Sequence, residues 1–216
     1  MPLDKQLQQA VLAELDWEPS VVAAHIGVTA NAGVVTLTGH VETFAEKHAA
    51  ETAALRVRGV KAVAEDIQVE LPFERIHGDD DIAAAAVERL AWDTSVPAGM
   101  ITVKVEQGWM TLTGQVPWFF QKQAAAQDVG RLHGVTGLSN QIVVRPVVDV
   151  FDISTKIRLA LHRSWLLDTE NVTVRADGGH IRLTGTVHSP HDRQVAWMTA
   201  WAAPGAISVE NDIAIR

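Results

Sequence analysis

The chain has no cysteine, which excludes disulfides, thiol catalysis and cysteine-ligated zinc. It has no apolar run near the ~20 residues that a membrane-spanning helix needs. Its start, Met1-Pro2-Leu3-Asp4-Lys5-Gln6-Leu7, carries no basic segment, and Glu14 and Asp16 interrupt the apolar residues after it. That is not the pattern of a signal peptide, so a cytoplasmic placement is expected. Positive charge is also short. A net charge of −8 and a pI near 5.5 leave no basic face for phosphates, which argues against nucleic acid as a general partner. The same charge gives no global attraction to an anionic membrane.

What is present is repetition. One phrase occurs three times: Val34-Val35-Thr36-Leu37-Thr38-Gly39, Trp109-Met110-Thr111-Leu112-Thr113-Gly114 and His180-Ile181-Arg182-Leu183-Thr184-Gly185. Each is alternating and β-branched, which reads as a strand. Each ends on a glycine, with Gly33, Gly108 and Gly179 six residues before it and Gly59, Gly134 and Gly205 twenty residues after it. The 216 residues therefore divide into three modules, 1–71, 78–146 and 149–216. Modules of this size lie at the small end for independent folding. The joints, Leu71 to Gly78 and Arg145 to Asp149, are not Gly/Ser tethers.

The expected order in each module is α-β-β-α-β, an α+β fold with two helices packed on one face of a three-stranded sheet. In the first module Leu7, Val11, Leu12 and Leu15 recur at helical spacing behind Asp4, a candidate N-cap. The helix ends at Trp17, before Pro19. Ile26 to Val28 and Val34 to Thr38 then form a hairpin around Asn31-Ala32-Gly33. Thr43 and Glu46 have the spacing of a capping box for the second helix. The inner face of that helix reads Ala50, Ala54 and Val57, and Gly59 closes it. In the second module the equivalents are Asp81 to Trp92, then Ala125, Val129 and Leu132, then a final strand at Ile142-Val143-Val144. In the third they are Asp152 to Trp165, a second helix from Ser189-Pro190 with Ala196, Ala200 and Ala203 inside, and Ile213 to Ile215.

These residues resemble the BON domain, a family of bacterial osmotically induced and nodulation-type proteins. The resemblance is carried by Leu37-Thr38-Gly39-His40-Val41 with Gly59-Val60 and Glu65-Asp66-Ile67. It recurs in Leu112-Thr113-Gly114-Gln115-Val116 with Gly134-Val135 and Asn140-Gln141-Ile142. The third set is Leu183-Thr184-Gly185-Thr186-Val187 with Gly205-Ala206 and Asn211-Asp212-Ile213, where Ala206 replaces the usual Val. The resemblance implies a non-enzymatic adaptor in osmotic or envelope stress that contacts phospholipid surfaces or protein partners. Potassium-binding relatives imply an alternative, a small-ion or small-ligand binding protein. No catalytic residues and no cofactor come with the family.

The motif glycines Gly39, Gly59, Gly114, Gly134, Gly185 and Gly205 could let a ligand approach backbone amides, but strand ends and helix caps explain them more simply. None belongs to a phosphate loop. His188 and His191, with His180 and Asp192 nearby, are a weak metal candidate, because neither other module matches them. Asp79-Asp80-Asp81 reads as a charged helix entry.

The aromatics say more. Pro117-Trp118-Phe119-Phe120 falls at a helix start, which is ordinarily polar. Trp118, Phe119 and Phe120 either anchor a membrane or partner, or pack between modules. Trp197 and Trp201 are four apart on one side of the third module's second helix, away from its inner face. That extra apolar face is expected to dock on another module or another subunit.

Overall fold

The computed structural model describes residues 2–73, 76–146, 153–163 and 172–215. The first module comprises α1 (Pro2–Trp17), a 3-10 turn at Ala23–His25, β1 (Ile26–Asn31), β2 (Val34–Val41), α2 (Phe44–Arg56) and β3 (Ala62–Val69). The second comprises α3 (Asp79–Trp92), β4 (Ile101–Glu106), β5 (Trp109–Val116), α4 (Phe119–Val129), β6 (Gly137–Asn140) and β7 (Val143–Val144). The third comprises α5 (Ile153–Arg163), β8 (Val172–Asp177), β9 (His180–Val187), α6 (Pro190–Trp201) and β10 (Ser208–Ile215). The expected helix start at Asp152 and end at Trp165 lie outside the described residues. Two compact units result: Met1–Arg89 with Val103–Thr111 and Gln127–Ser139, and Leu90–Thr102 with Leu112–Ala126 and Asn140–Arg216.

The hairpin strands pair antiparallel, and the last strand joins the middle one in parallel. In the first module Val28 faces Leu37 and Leu37 faces Glu65, giving the order β1-β2-β3. In the third, Val174 faces Leu183 and Leu183 faces Asn211. Alternation on β2 sends Val35 and Leu37 to one face. There they meet Val11 and Leu15 of α1 and Ala50, Ala53 and Ala54 of α2, so both helices cover that face. Ile153, Ile157 and Leu161 of α5 join Ala196 and Ala200 of α6 over β9 in the same way. The small residues on α2 and α6 let these helices lie close to their sheets.

The second module departs from the expected three strands. Its last strand is split into β6 and β7, and both pair with β5 in a four-stranded sheet. Ile142 lies in the gap, where its amide donates to Asn140 Oδ1 at 3.2 Å. Helix ends also differ. The helices α2 and α4 stop at Arg56 and Val129, so Val57 and Leu132 lie beyond them and are only half-buried. Ala203 lies past α6 but is buried.

Asp4 does not cap α1, which already begins at Pro2. Its carboxylate instead accepts the Ala32 amide at 2.9 Å in the β1–β2 turn. Asp79 repeats the device, taking the amides of Gln107 and Gly108 at 2.7 and 2.9 Å. Hairpin turns leave amides unpaired, and a carboxylate from the first helix satisfies them. The Thr43 hydroxyl caps α2 by accepting the Glu46 amide at 3.1 Å. Glu46 reaches back further than a capping box requires: its carboxylate accepts the amides of Glu42 at 3.1 Å and Val22 at 2.9 Å. Ser189 caps α6 through the Asp192 amide, with Pro190 at the first helical position.

All six motif glycines have positive φ. The strand glycines need it most. Gly39 has φ +120° and Gly114 φ +139°, and a Cβ on either would overlap the carbonyl oxygen of His25 or Met100. They mark the crossing of the chain over the end of the first strand, a structural requirement independent of any ligand.

Candidate functional site

In each of the first two modules the first helix ends on a tryptophan that the module does not cover. In the first module Leu15 is fully buried while Arg56 of α2 pairs with Glu14 and Glu18, each at 2.9 Å. This pins the end of α1, and the Arg56 guanidinium with the Ser20 hydroxyl holds the Glu18 carboxyl below its usual range. Trp17, between those acids, is 81% exposed. In the second module Leu90 is buried, Arg89 pairs with Asp128 at 3.1 Å, and Trp92 is 79% exposed. Two large rings stand in water at matching places on anchored helices. Trp165, near the corresponding place in the sequence, lies outside the described residues.

The aromatics at α4 and α6 behave differently, all within the second compact unit. Phe119 is 7% exposed. Its ring stacks on Trp201 at 4.5 Å and 12° and meets the edge of Trp197 at 5.0 Å and 86°. Trp197 and Trp201 are themselves edge to face at 6.1 Å. Aromatic contacts of this kind add ~0.5–1.5 kcal/mol beyond the area they bury. Trp118 and Phe120 flank the cluster and remain 38% and 54% exposed. The start of α4 is secured by the Gln121 side chain, which accepts the Trp118 amide at 3.0 Å. A cavity of about 330 Å³ opens beside these rings. The aromatic trio therefore splits: Phe119 packs inward, and Trp118 and Phe120 face out.

A second cavity, of about 240 Å³, lies in the first unit between Trp109 and the α2 side chains Lys47, His48 and Glu51. It is polar. His48 Nδ1 and Glu51 lie 3.5 Å apart, and Lys47 Nζ lies 3.8 Å from Glu65 while donating to the Ile67 carbonyl at 2.7 Å. The Glu51 carboxylate raises His48, which in turn lowers Glu51. Burial pushes Glu65 up. Two carboxylates and two cationic groups offset one another here.

The histidine trio does not assemble. His180 opens β9 and His188 follows its end, ~25 Å along the strand at 3.3 Å per residue. His180 Nδ1 instead pairs with the Ser208 hydroxyl at 2.7 Å. No group of three or more His, Asp or Glu side chains that could hold a metal ion occurs among the described residues.

The family model for the BON domain matches residues 3–70, 78–146 and 149–216, nearly the whole chain. The chain belongs to the BON domain family. Osmotically-inducible protein Y of Escherichia coli (strain K12) is 28% identical over 144 residues, spanning 62% of this chain and 72% of its own length. Two structures of CdsD, a structural protein of the type III secretion system of Chlamydia trachomatis, align at 16% identity and a TM-score of 0.27. They cover 97% and 98% of this chain and 97% and 92% of their own, and a score of that size carries no structural argument. Among the described residues no helix is long and apolar enough to cross a membrane. The cytoplasmic placement expected from the chain's start gains no support from these relatives.

The closing motif of the BON domain works as a clip between strand and helix. In the second domain Asn140 Nδ2 donates to the Lys122 carbonyl of α4 at 2.8 Å, and in the third Asn211 Nδ2 donates to the Arg193 carbonyl of α6 at 3.2 Å. Each asparagine also accepts an amide two residues on, at 3.2 and 3.3 Å. The first domain has Glu65 there, and the Lys47 side chain spans the same gap. The sequence motif alone does not assign these roles; matching the asparagines to helix carbonyls needs the fold.

Proposed function

We propose that this BON protein is a non-enzymatic adaptor in osmotic stress that attaches to a phospholipid surface through tryptophans at the ends of its first helices. The osmotic assignment follows the relative named osmotically-inducible protein Y. The attachment reading rests on one observation, the matching exposure of Trp17 and Trp92. Each ring left in water forgoes ~1.5–3 kcal/mol of burial. Tryptophan favours the interface between water and lipid, where its ring is buried and its N–H stays wet. Asp16, Glu18 and Asp93 beside the tryptophans disfavour anionic lipid, so a zwitterionic surface suits them better.

The same acidic neighbours favour a second reading, a protein partner with an apolar groove and a basic rim. Flotation of the full chain with phosphatidylcholine vesicles separates the two. The lipid reading expects co-flotation that a Trp17→Ser/Trp92→Ser variant loses while keeping its melting temperature. Absence of flotation for the wild type overturns it and leaves the protein partner.

A further inference from the structure

The cavity beside Phe119 differs from that surface contact in both place and chemistry, and neither Trp17 nor Trp92 lines it. Its volume is about 330 Å³. At ~30 Å³ of liquid volume per water, it has room for roughly eleven waters or one small organic molecule. Phe119 and Trp201 form its inner side, the more exposed Trp118 and Phe120 its rim, and Gln123 and Met198 complete it. No lining side chain is charged, so an ion entering would lose its water without gaining a partner.

One donor lining the cavity is poorly served. The Gln123 amide nitrogen donates to the Met198 sulfur at 3.2 Å, and a thioether is a weak acceptor. Buried donors ordinarily find acceptors, and pockets that bind small molecules combine aromatic walls with a few such polar groups.

We infer that this cavity is a binding site for a flat, neutral organic molecule carrying a carbonyl-type oxygen. The ring system lies against Trp118 and Phe120, and the oxygen takes the Gln123 amide in place of the Met198 sulfur. A carboxylate of the same shape is a poor ligand, because no cation lines the cavity. The exposed position of Ala202 at the mouth leaves a way in.

Calorimetric titration of the full chain with 2-naphthamide, and with 2-naphthoate as the charged control, tests this. The expected result is one saturable site per chain for the amide, with the carboxylate at least tenfold weaker. Ala202→Trp, which fills the cavity from its mouth, weakens the amide at least tenfold. Gln123→Leu weakens the amide at least fivefold and narrows its advantage over the carboxylate, a readout that loss of packing alone does not give. Should Ala202→Trp fail to fold, Gln123→Leu decides. Unsaturable heats, equal binding of amide and carboxylate, or amide binding unchanged in the folded variants each overturn the inference. Vesicle flotation of Ala202→Trp stays at the wild-type level, so failure here and failure of the surface contact read out separately.

Discussion

The ring of Phe119 lies nearly parallel to the indole of Trp201, 4.5 Å away and tilted by 12°. Its neighbour Phe120, one residue on, is more than half exposed. Truncating the two should therefore have unequal effects. Phe119→Ala is expected to cost ~3–5 kcal/mol, the range for buried aromatics. Phe120→Ala should stay within ~0.5 kcal/mol, as surface changes do. Urea denaturation measures both, and equal losses would show that the cluster is not the packed contact described.

Gly114 tests the reason for the family motif. Its φ of +139° and the Met100 carbonyl in the path of any Cβ leave no place for a side chain. Gly114→Val should destabilise the chain by more than ~1–3 kcal/mol, the cost of a strained backbone before the clash is added. Wild-type stability for this variant would mean that the strand end can move aside.

Glu46 ties the start of α2 to Val22 across the 3-10 segment. It is the one buried charged side chain among the described residues of the core. Glu46→Ala strands two amides and should cost ~2–3 kcal/mol, within the range for hydrogen bonds to charged groups. Amide exchange at Val22 and Glu42 should quicken selectively. A change confined to the rest of α2 would contradict this role.

How much of this was legible in the sequence differs by feature. Periodicity places the helices and strands, because Val35, Leu37 and their counterparts alternate and Ala50 and Ala54 recur at helical spacing. The capping box at Thr43 is local, so it is legible too. Its extension to Val22 is not, since the partner lies twenty-four residues away. Asp4 and Asp79 read as helix-start residues, yet their carboxylates serve hairpin turns that only the packed helix brings near. Trp197 and Trp201 stand out by their offset from the inner face. Trp17 and Trp92 read as no more than helix ends, because spacing along the chain does not reveal whether a ring is covered. The same limit applies to Phe119 and Phe120, adjacent residues with opposite surroundings.

The His48–Glu51 pair gives a pH signature. His48 is raised from its ordinary 6.5 by Glu51, so its contribution is full below 6.5 and lost as pH rises through the folded value. Glu51 is lowered from 4.5 by His48, so its contribution is present above 4.5 and lost as pH falls through the folded value. Both act between pH 4.5 and 6.5. His48 is largely exposed and Glu51 partly so, and His48→Ala should cost only ~0.2–1 kcal/mol at pH 5.5. At pH 8.5 the pair's contribution should vanish. Denaturation of both proteins at the two pH values checks this, and an equal loss at each would assign the effect to packing.

The most direct measurement on the proposed attachment is fluorine NMR of the full chain labelled with 5-fluorotryptophan. The seven tryptophans give separate signals, assigned by single Trp→Phe changes. On addition of phosphatidylcholine vesicles, the signals of Trp17 and Trp92 should broaden and shift while those of Trp197 and Trp201, held in the Phe119 cluster, stay in place. Unchanged Trp17 and Trp92 signals while the chain is bound to the vesicles would contradict attachment through the helix-end tryptophans.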